Sequence, residues 1–91
     1  MTMELRIVGS RSLKAKRTVV RHLVERSRNL GLSVSEVDHH DQWQRAAIGF
    51  AAVGSTAGQV TDILDRAERF VWSHPEVEVL ACVRDWLELD R

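Results

Sequence analysis

The pattern of hydrophobic and polar positions predicts an amphipathic helix between two strands in the first part of the chain. Residues 4–8 alternate in polarity, which is typical of a half-buried strand. After Gly9, apolar residues recur every three or four positions over about 13–30. Ser12 and Gly31 stand where an N-cap and a helix end are expected, so this segment is predicted to be a helix.

The second of these strands is short, and the rest of the chain adds two more strands around a second helix. A short strand is predicted over about 32–37 and a longer one over about 43–53, joined by a polar loop. Thr56 and Gln59 have capping-box spacing before a second amphipathic helix, which ends at His74-Pro75. Residues 76–89 predict a last strand that alternates, with Val77, Val79, Ala81 and Val83 on one side and Glu78, Leu80, Cys82 and Arg84 on the other. The order strand, helix, strand, strand, helix, strand predicts an α+β, ferredoxin-like βαββαβ fold: a four-stranded antiparallel sheet with two helices on one face.

Length and composition indicate one soluble domain over residues 1–91. The chain is 44% hydrophobic and 29% charged, as in ordinary globular proteins. Its longest apolar run, Ala46–Val53, is eight residues, far too short to span a membrane. Charge appears at once near the N-terminus and the single cysteine excludes an internal disulfide, so we expect a cytoplasmic protein.

Charge is distributed unevenly, although the chain is neutral overall. Residues 1–28 hold eight basic side chains against two glutamates, and residues 29–91 hold five arginines against eleven acids. Such asymmetry suggests an anionic partner for the basic part. Alternatively, the two parts neutralise each other in the fold.

The first helix concentrates the basic residues near its N-terminus, where free backbone N–H groups favour an anion. We expect Lys16, which lies near the apolar stripe, to extend its amine out to solvent. The alternative is a solvated helix face that pairs with acids such as Glu25. The predicted phosphate contacts are Arg11, Lys14, Lys16, Arg17, Arg21 and Arg28.

RNA would be contacted through its backbone rather than its bases. The chain has no tyrosine, and its two phenylalanines and three tryptophans do not form the aromatic strand pattern of ferredoxin-like RNA readers. A ribonucleoprotein could be bound in the same way.

The open face of the predicted sheet carries more apolar residues than a water-facing surface needs. The segment 46–53 does not alternate, and a second copy of the chain is the simplest cover, so we expect a homodimer. The alternative is that small alanines and a glycine are harmless there. The predicted interface residues are Phe50, Leu80, Cys82 and Trp86.

The polar loop between the two middle strands contains His39, His40 and Asp41, which are weak candidates for acid–base catalysis. Adjacent histidines on an extended segment point to opposite sides, so we predict no metal site there. Asp41 and Arg45 are expected to anchor the loop by a salt bridge, with Trp43 between them as a plug. The chain has no phosphate-binding loop or dinucleotide-binding glycine pattern, and no cofactor is predicted.

Several motifs resemble those of the YlxP-like family, small bacterial proteins grouped as a domain of unknown function. The family pattern has a Ser-Leu-Lys-x-Lys-Arg helix entry, matched by residues 12–17. Its Val-Ser-x-Ala-Glu-Val-Asp strand, its Asp-x-Trp-Gln-Arg-Ala segment and its Gly-Val-Ala-Val-Val strand correspond to residues 34–38, 41–46 and 48–53. The resemblance implies a ferredoxin-like fold. It also implies a role near RNA or the ribosome, because family genes often neighbour those of translation initiation and ribosome maturation.

These observations favour a non-enzymatic module that binds RNA or a ribonucleoprotein through its first helix. A second hypothesis is a dimeric α+β barrel that encloses a small-molecule or catalytic cavity between two sheets. In that case His39, His40 and Asp41 would lie near the mouth, and Arg84 or Trp86 would line the interior. A protein-interaction adaptor is the third hypothesis.

Overall fold

The computed structural model describes residues 1–87, and its elements follow the predicted order. The strands are β1 (Thr2–Ile7), β2 (Ser33–Asp38), β3 (Arg45–Ala51) and β4 (Val77–Val83), and the helices are α1 (Leu13–Arg28) and α2 (Ala57–Ser73). All strand pairs are antiparallel, in the spatial order β2-β3-β1-β4. The ferredoxin-like prediction is confirmed. Neither helix of residues 1–87 is long and apolar enough to cross a membrane.

Both helices begin at the residues that the sequence indicated. The Ser12 hydroxyl accepts a hydrogen bond from the backbone N–H of Ala15 at 3.0 Å, and Thr56 accepts one from Gln59 at 3.2 Å. These bonds satisfy backbone donors that the first turn of a helix leaves free. Gly31 follows α1 with a φ of 94°, a conformation that glycine adopts without a steric cost.

The hydrophobic core lies between the two helices and one face of the sheet. The central strand β1 contributes Met3, Leu5 and Ile7, each at most 1% exposed. The helices contribute residues at helical spacing, such as Leu23 and Val71. The opposite face of the sheet carries no helix among residues 1–87.

A β-bulge in β4 changes which of its side chains face the helices. Leu5 is paired with Val79 but Glu4 with Ala81, so Leu80 is an extra residue in the strand. The alternation predicted for β4 is therefore wrong beyond Leu80. Cys82 is paired with the core residue Met3 and lies on the helix side.

The predicted strand also ends early, and one predicted interface residue lies in the core. β4 stops at Val83, and residues 88 and 89 lie outside the described residues. Phe50 is only 4% exposed and belongs to the core, because β3 directs Ala46, Ile48 and Phe50 towards the helices. Phe50 and Cys82 are thus wrongly placed on the open face by the sequence analysis.

Candidate nucleic-acid interface

Three connecting segments meet at the end of the sheet where α1 begins. The N–H of Ile7 donates to the carbonyl of Gln44 at 2.9 Å, and the N–H of Val8 donates to that of Glu76 at 3.0 Å. The side-chain amide of Gln44 also donates to the Ser10 carbonyl at 3.2 Å. The β2–β3 loop and the α2–β4 connection are therefore fixed beside the segment that leads into α1.

Four of the predicted phosphate contacts are exposed at or near the first half of α1. We call Arg11, Lys14, Arg17 and Arg21 the basic face. Within residues 1–87 none of the four forms an ion pair, and the first turn of α1 contains no acidic residue. The basic face therefore keeps its positive charge available to a partner.

Several acidic residues of the described chain are paired with basic groups outside the basic face. Glu36 binds Lys16, Glu4 binds His39 and Arg45, and Glu78 binds Arg6. Glu25, which the alternative interpretation pairs with the basic residues of the first helix, joins no ion pair within residues 1–87.

Lys16 is fully buried, so the expectation that its amine reaches solvent is wrong. Its side chain is 0% exposed, and Nζ donates to Glu36 Oε2 at 2.5 Å and to the His39 carbonyl at 2.8 Å. A charge this deeply buried is tolerated only when it is paired and hydrogen-bonded. Lys16 therefore holds α1 to β2 and to the β2–β3 loop, and it does not belong to the basic face.

Arg28, the last of the predicted phosphate contacts, is exposed but engaged. Its Nε and Nη2 both donate to the Val34 carbonyl, at 3.2 and 2.9 Å. This fork connects the end of α1 to β2. The guanidinium of Arg28 is therefore hydrogen-bonded to the backbone of β2, whereas the four side chains of the basic face have no such partner within residues 1–87.

The histidine loop is held by a different set of contacts from those predicted. Nε2 of His39 lies 3.0 Å from Glu4 Oε2, and Arg45 donates to the same oxygen at 3.2 Å. The predicted salt bridge between Asp41 and Arg45 is therefore wrong. Trp43 is 54% exposed and does not plug the loop.

The weak catalytic candidates do not converge. His39 is bound to Glu4, whereas the side chains of His40 and Asp41 are exposed and make no hydrogen bond within residues 1–87. In the same part of the chain, no three His, Cys, Asp or Glu side chains are placed to hold a metal ion. The loop offers polarity but no assembled acid–base site.

Arg84 lies on the helix side of the sheet and does not line the open face, contrary to the barrel hypothesis. It donates to Asp65 at 2.8 Å and to Glu68 at 3.0 Å. Burial disfavours its charge, but the hydrogen bonds and charges of these two acids outweigh burial and raise the pKa of the guanidinium. Cys82 donates its thiol proton to Glu68 at 3.4 Å, and burial and then this bond raise the pKa of the thiol.

A pair of histidines that the sequence analysis did not single out lies beside the basic face. The imidazole rings of His22 and His74 are 5.3 Å apart, centre to centre, and line a cleft of about 490 Å³. In the sequence His74 marks only the end of a helix. Its distance from His22, 52 positions earlier in the chain, leaves no periodic signal, and only the packing of α1 against α2 brings them together.

Comparisons with known proteins bear on the family of the chain. A family model described as "Protein of unknown function (DUF503)" matches residues 1–84. The uncharacterized protein YlxP of Bacillus subtilis (strain 168) is 37% identical over 81 residues, which cover 88% of this chain and 88% of YlxP. The resemblance carried by the motifs is confirmed, and the chain belongs to the DUF503, or YlxP-like, family.

Proposed function

We propose that this protein is a non-enzymatic module that binds the phosphate backbone of RNA through the basic face. The observation that carries the proposal is the exposure of four cations without an acidic partner in residues 1–87. Backbone N–H groups at the start of α1 add to their attraction for an anion.

The basic face costs folding energy, which supports a binding role. Lys14, in the first turn of α1, opposes the helix dipole by about 0.3–1 kcal/mol. Lys14 and Arg17 are three residues apart and Arg17 and Arg21 four, so both pairs are like-charged neighbours on the helix, each unfavourable by about 0.2–0.5 kcal/mol. A bound polyanion would reverse the sign of both contributions.

The open face of the sheet supports backbone contact rather than base recognition. The outward positions of the central strands include Glu4, Arg6, Ala47 and Gly49, none of which is aromatic. Ferredoxin-like RNA readers stack bases on aromatic side chains at such positions. We therefore expect binding that tolerates sequence changes and depends strongly on salt.

Charge reversal on matched helices tests the proposal. Arg17→Glu with Arg21→Glu changes the basic face, while Arg66→Glu with Arg69→Glu makes the same charge change at exposed positions of α2. Binding of fluorescein-labelled oligouridine and of a labelled RNA duplex is followed by anisotropy, and folding is checked by thermal melting.

Each phosphate contact contributes about fivefold to affinity at about 0.1 M salt. Losing two contacts and adding two repulsive charges should weaken RNA binding about 100-fold in the α1 variant. The α2 variant should stay within about threefold of the unchanged protein. Equal loss in both variants, or full affinity in a folded α1 variant, would refute the basic face as the RNA site.

Three finer expectations belong with this proposal. The resemblance suggests that the RNA is ribosomal or ribosome-associated. A cytoplasmic location stays an expectation from the single cysteine and the charged N-terminus. A homodimer through the open face stays a prediction, now resting on Leu80, which is 44% exposed. Trp86 is 49% exposed but lies beyond the end of β4. Sedimentation of the protein alone tests the dimer, since a monomer at all concentrations would exclude it.

A further inference from the structure

A cleft lies between α1 and the segment that joins α2 to β4. Its volume is about 490 Å³. Its walls combine small apolar groups from α1 with two imidazoles, a hydroxyl and the start of the α2–β4 connection. The lining residues are Ala15, Thr18, Val19, His22, His74 and Glu76.

The backbone determines which nitrogen of His74 carries the proton. The N–H of Glu76 donates to Nδ1 of His74 at 3.2 Å, so Nδ1 acts as the acceptor. The neutral ring therefore carries its proton on Nε2, which is a hydrogen-bond donor. A metal ion would need this nitrogen unprotonated, so the ring is suited to an anion rather than to a cation.

The second imidazole is held next to the first. The rings of His22 and His74 meet edge to face at 64°, and Phe70 packs against both, with ring centres 6.2 and 6.4 Å away. Neither nitrogen of His22 has a hydrogen-bond partner within residues 1–87. The pair can therefore direct donors at one ligand between or above the rings.

The cleft is continuous with the basic face. Thr18 lies on α1 one turn after Lys14, and the Thr18 hydroxyl donates to the Lys14 carbonyl at 3.1 Å. His22 directly follows Arg21 in the chain. A polyanion held along the basic face would therefore pass the rim of the cleft. Because the cleft borders the basic face on α1, a phosphate group is the ligand that best fits it.

We propose that the His22–His74 cleft is an oxyanion subsite that holds one phosphate of the polyanion bound along the basic face. The inference rests on the proposed function and adds a site to it. The imidazole N–H groups donate to phosphate oxygens, and a protonated ring would bind more tightly than a neutral one.

Acid should therefore strengthen binding. The titratable groups at the cleft are His22, His74 and Glu76, and the other lining residues are uncharged. Burial and then the charge of His22 lower the pKa of His74, while Glu76 acts in the opposite direction. A phosphate beside the rings favours the protonated form of His74, although protonation at Nδ1 gives up the hydrogen bond from the Glu76 N–H. Affinity should therefore rise as pH falls through the histidine range.

Glutamine substitution separates hydrogen bonding from charge. His22→Gln with His74→Gln keeps an N–H donor at each position but removes the ability to take up a proton. Between about pH 8 and about pH 6, the affinity of the unchanged protein for labelled oligouridine should rise about tenfold. The double variant should show less than about twofold change, and His40→Gln, an exposed histidine of the β2–β3 loop, should behave like the unchanged protein.

The outcomes distinguish this inference from the proposed function. If charge reversal on α1 abolishes RNA binding but the glutamine variant keeps the full pH response, the subsite is refuted and the basic face stands. Inorganic phosphate provides a test that needs no RNA. Imidazole resonances of His22 and His74 that shift with phosphate support an oxyanion site for free phosphate, and shifts with oligouridine alone assign the site to nucleic acid. Resonances that respond to neither overturn the inference.

Discussion

Replacing the buried lysine is expected to destabilise the fold without touching the basic face. Lys16→Met keeps the apolar stem of the side chain and removes the amine that binds Glu36 and the His39 carbonyl. The carboxylate of Glu36, 17% exposed, would lose its partner, and a backbone carbonyl would lose a donor. The substitution therefore leaves a partly buried charge uncompensated.

The magnitude follows from this burial. Breaking a buried ion pair by removing one partner costs about 3–5 kcal/mol. Because Glu36 keeps some contact with water, we expect the lower end, about 3 kcal/mol. With a urea dependence of about 1.5 kcal/mol per molar, the unfolding midpoint should fall by about 2 M.

Urea unfolding monitored by circular dichroism measures this change, with Lys14→Met as the matched control. Lys14 is exposed and joins no ion pair within residues 1–87. Its replacement should cost no stability and should gain about 0.5–1.5 kcal/mol, because it removes an unfavourable charge from the first turn of α1. Adding Glu36→Gln to Lys16→Met should recover part of the loss, because no unpaired charge then remains. A stability of Lys16→Met no lower than that of the control would show that Lys16 is solvated, and would refute the assignment.

Three further substitutions test other parts of the structure. Ser27→Ala should stabilise the fold by about 0.5–1 kcal/mol, because the Ser27 hydroxyl is buried without a hydrogen-bond partner in residues 1–87 and alanine favours helix. Glu68→Gln should speed alkylation of Cys82 by iodoacetamide about threefold near pH 8, since burial and then the bond to Glu68 raise the pKa of the thiol. Acidification below about pH 6.5 should cost stability through His74, whose pKa is lower in the folded state than in the unfolded chain, so that the unfolded chain binds more protons. His74→Gln should reduce this loss.

Each of these has an outcome that would contradict it. Loss of stability in Ser27→Ala would mean that its hydroxyl has a partner. If Cys82 is alkylated equally fast with and without the Glu68 carboxylate, burial alone slows the reaction. The rate measured in the urea-unfolded protein gives the reference for a fully reactive thiol. Identical acid profiles for His74→Gln and the unchanged protein would show that His74 does not link folding to pH.

The helices and the order of helices and strands along the chain were predictable, because both depend on local sequence patterns. Ser12 and Thr56 cap the helices as their spacing indicated, and the apolar stripes of both helices face the sheet. The β4 bulge could not be read from the sequence, because one extra residue at Leu80 shifts the alternation without changing the residue types. Cys82 and Arg84 were assigned to the wrong face for this reason.

The candidate site was predictable only in part. Periodicity placed the basic face on the outside of α1, where the structure also has it. The same reasoning placed the Lys16 amine in solvent. It could not show that the amine is buried, because the acceptors of the amine, Glu36 and the His39 carbonyl, are 20 and 23 residues away in the chain. The His22–His74 cleft depends on tertiary packing in the same way. Contacts between distant segments thus account for what the sequence pattern did not show.

The salt dependence of RNA affinity reports how many phosphates the basic face binds. A single strand held by the four cations of the basic face should give a slope of about −3 for log affinity against log salt, measured between about 50 and 200 mM. Arg17→Ala with Arg21→Ala should reduce this slope to about −1.4, because two contacts remain. The same slope for the variant and the unchanged protein would mean that phosphates are bound elsewhere, and would contradict the account.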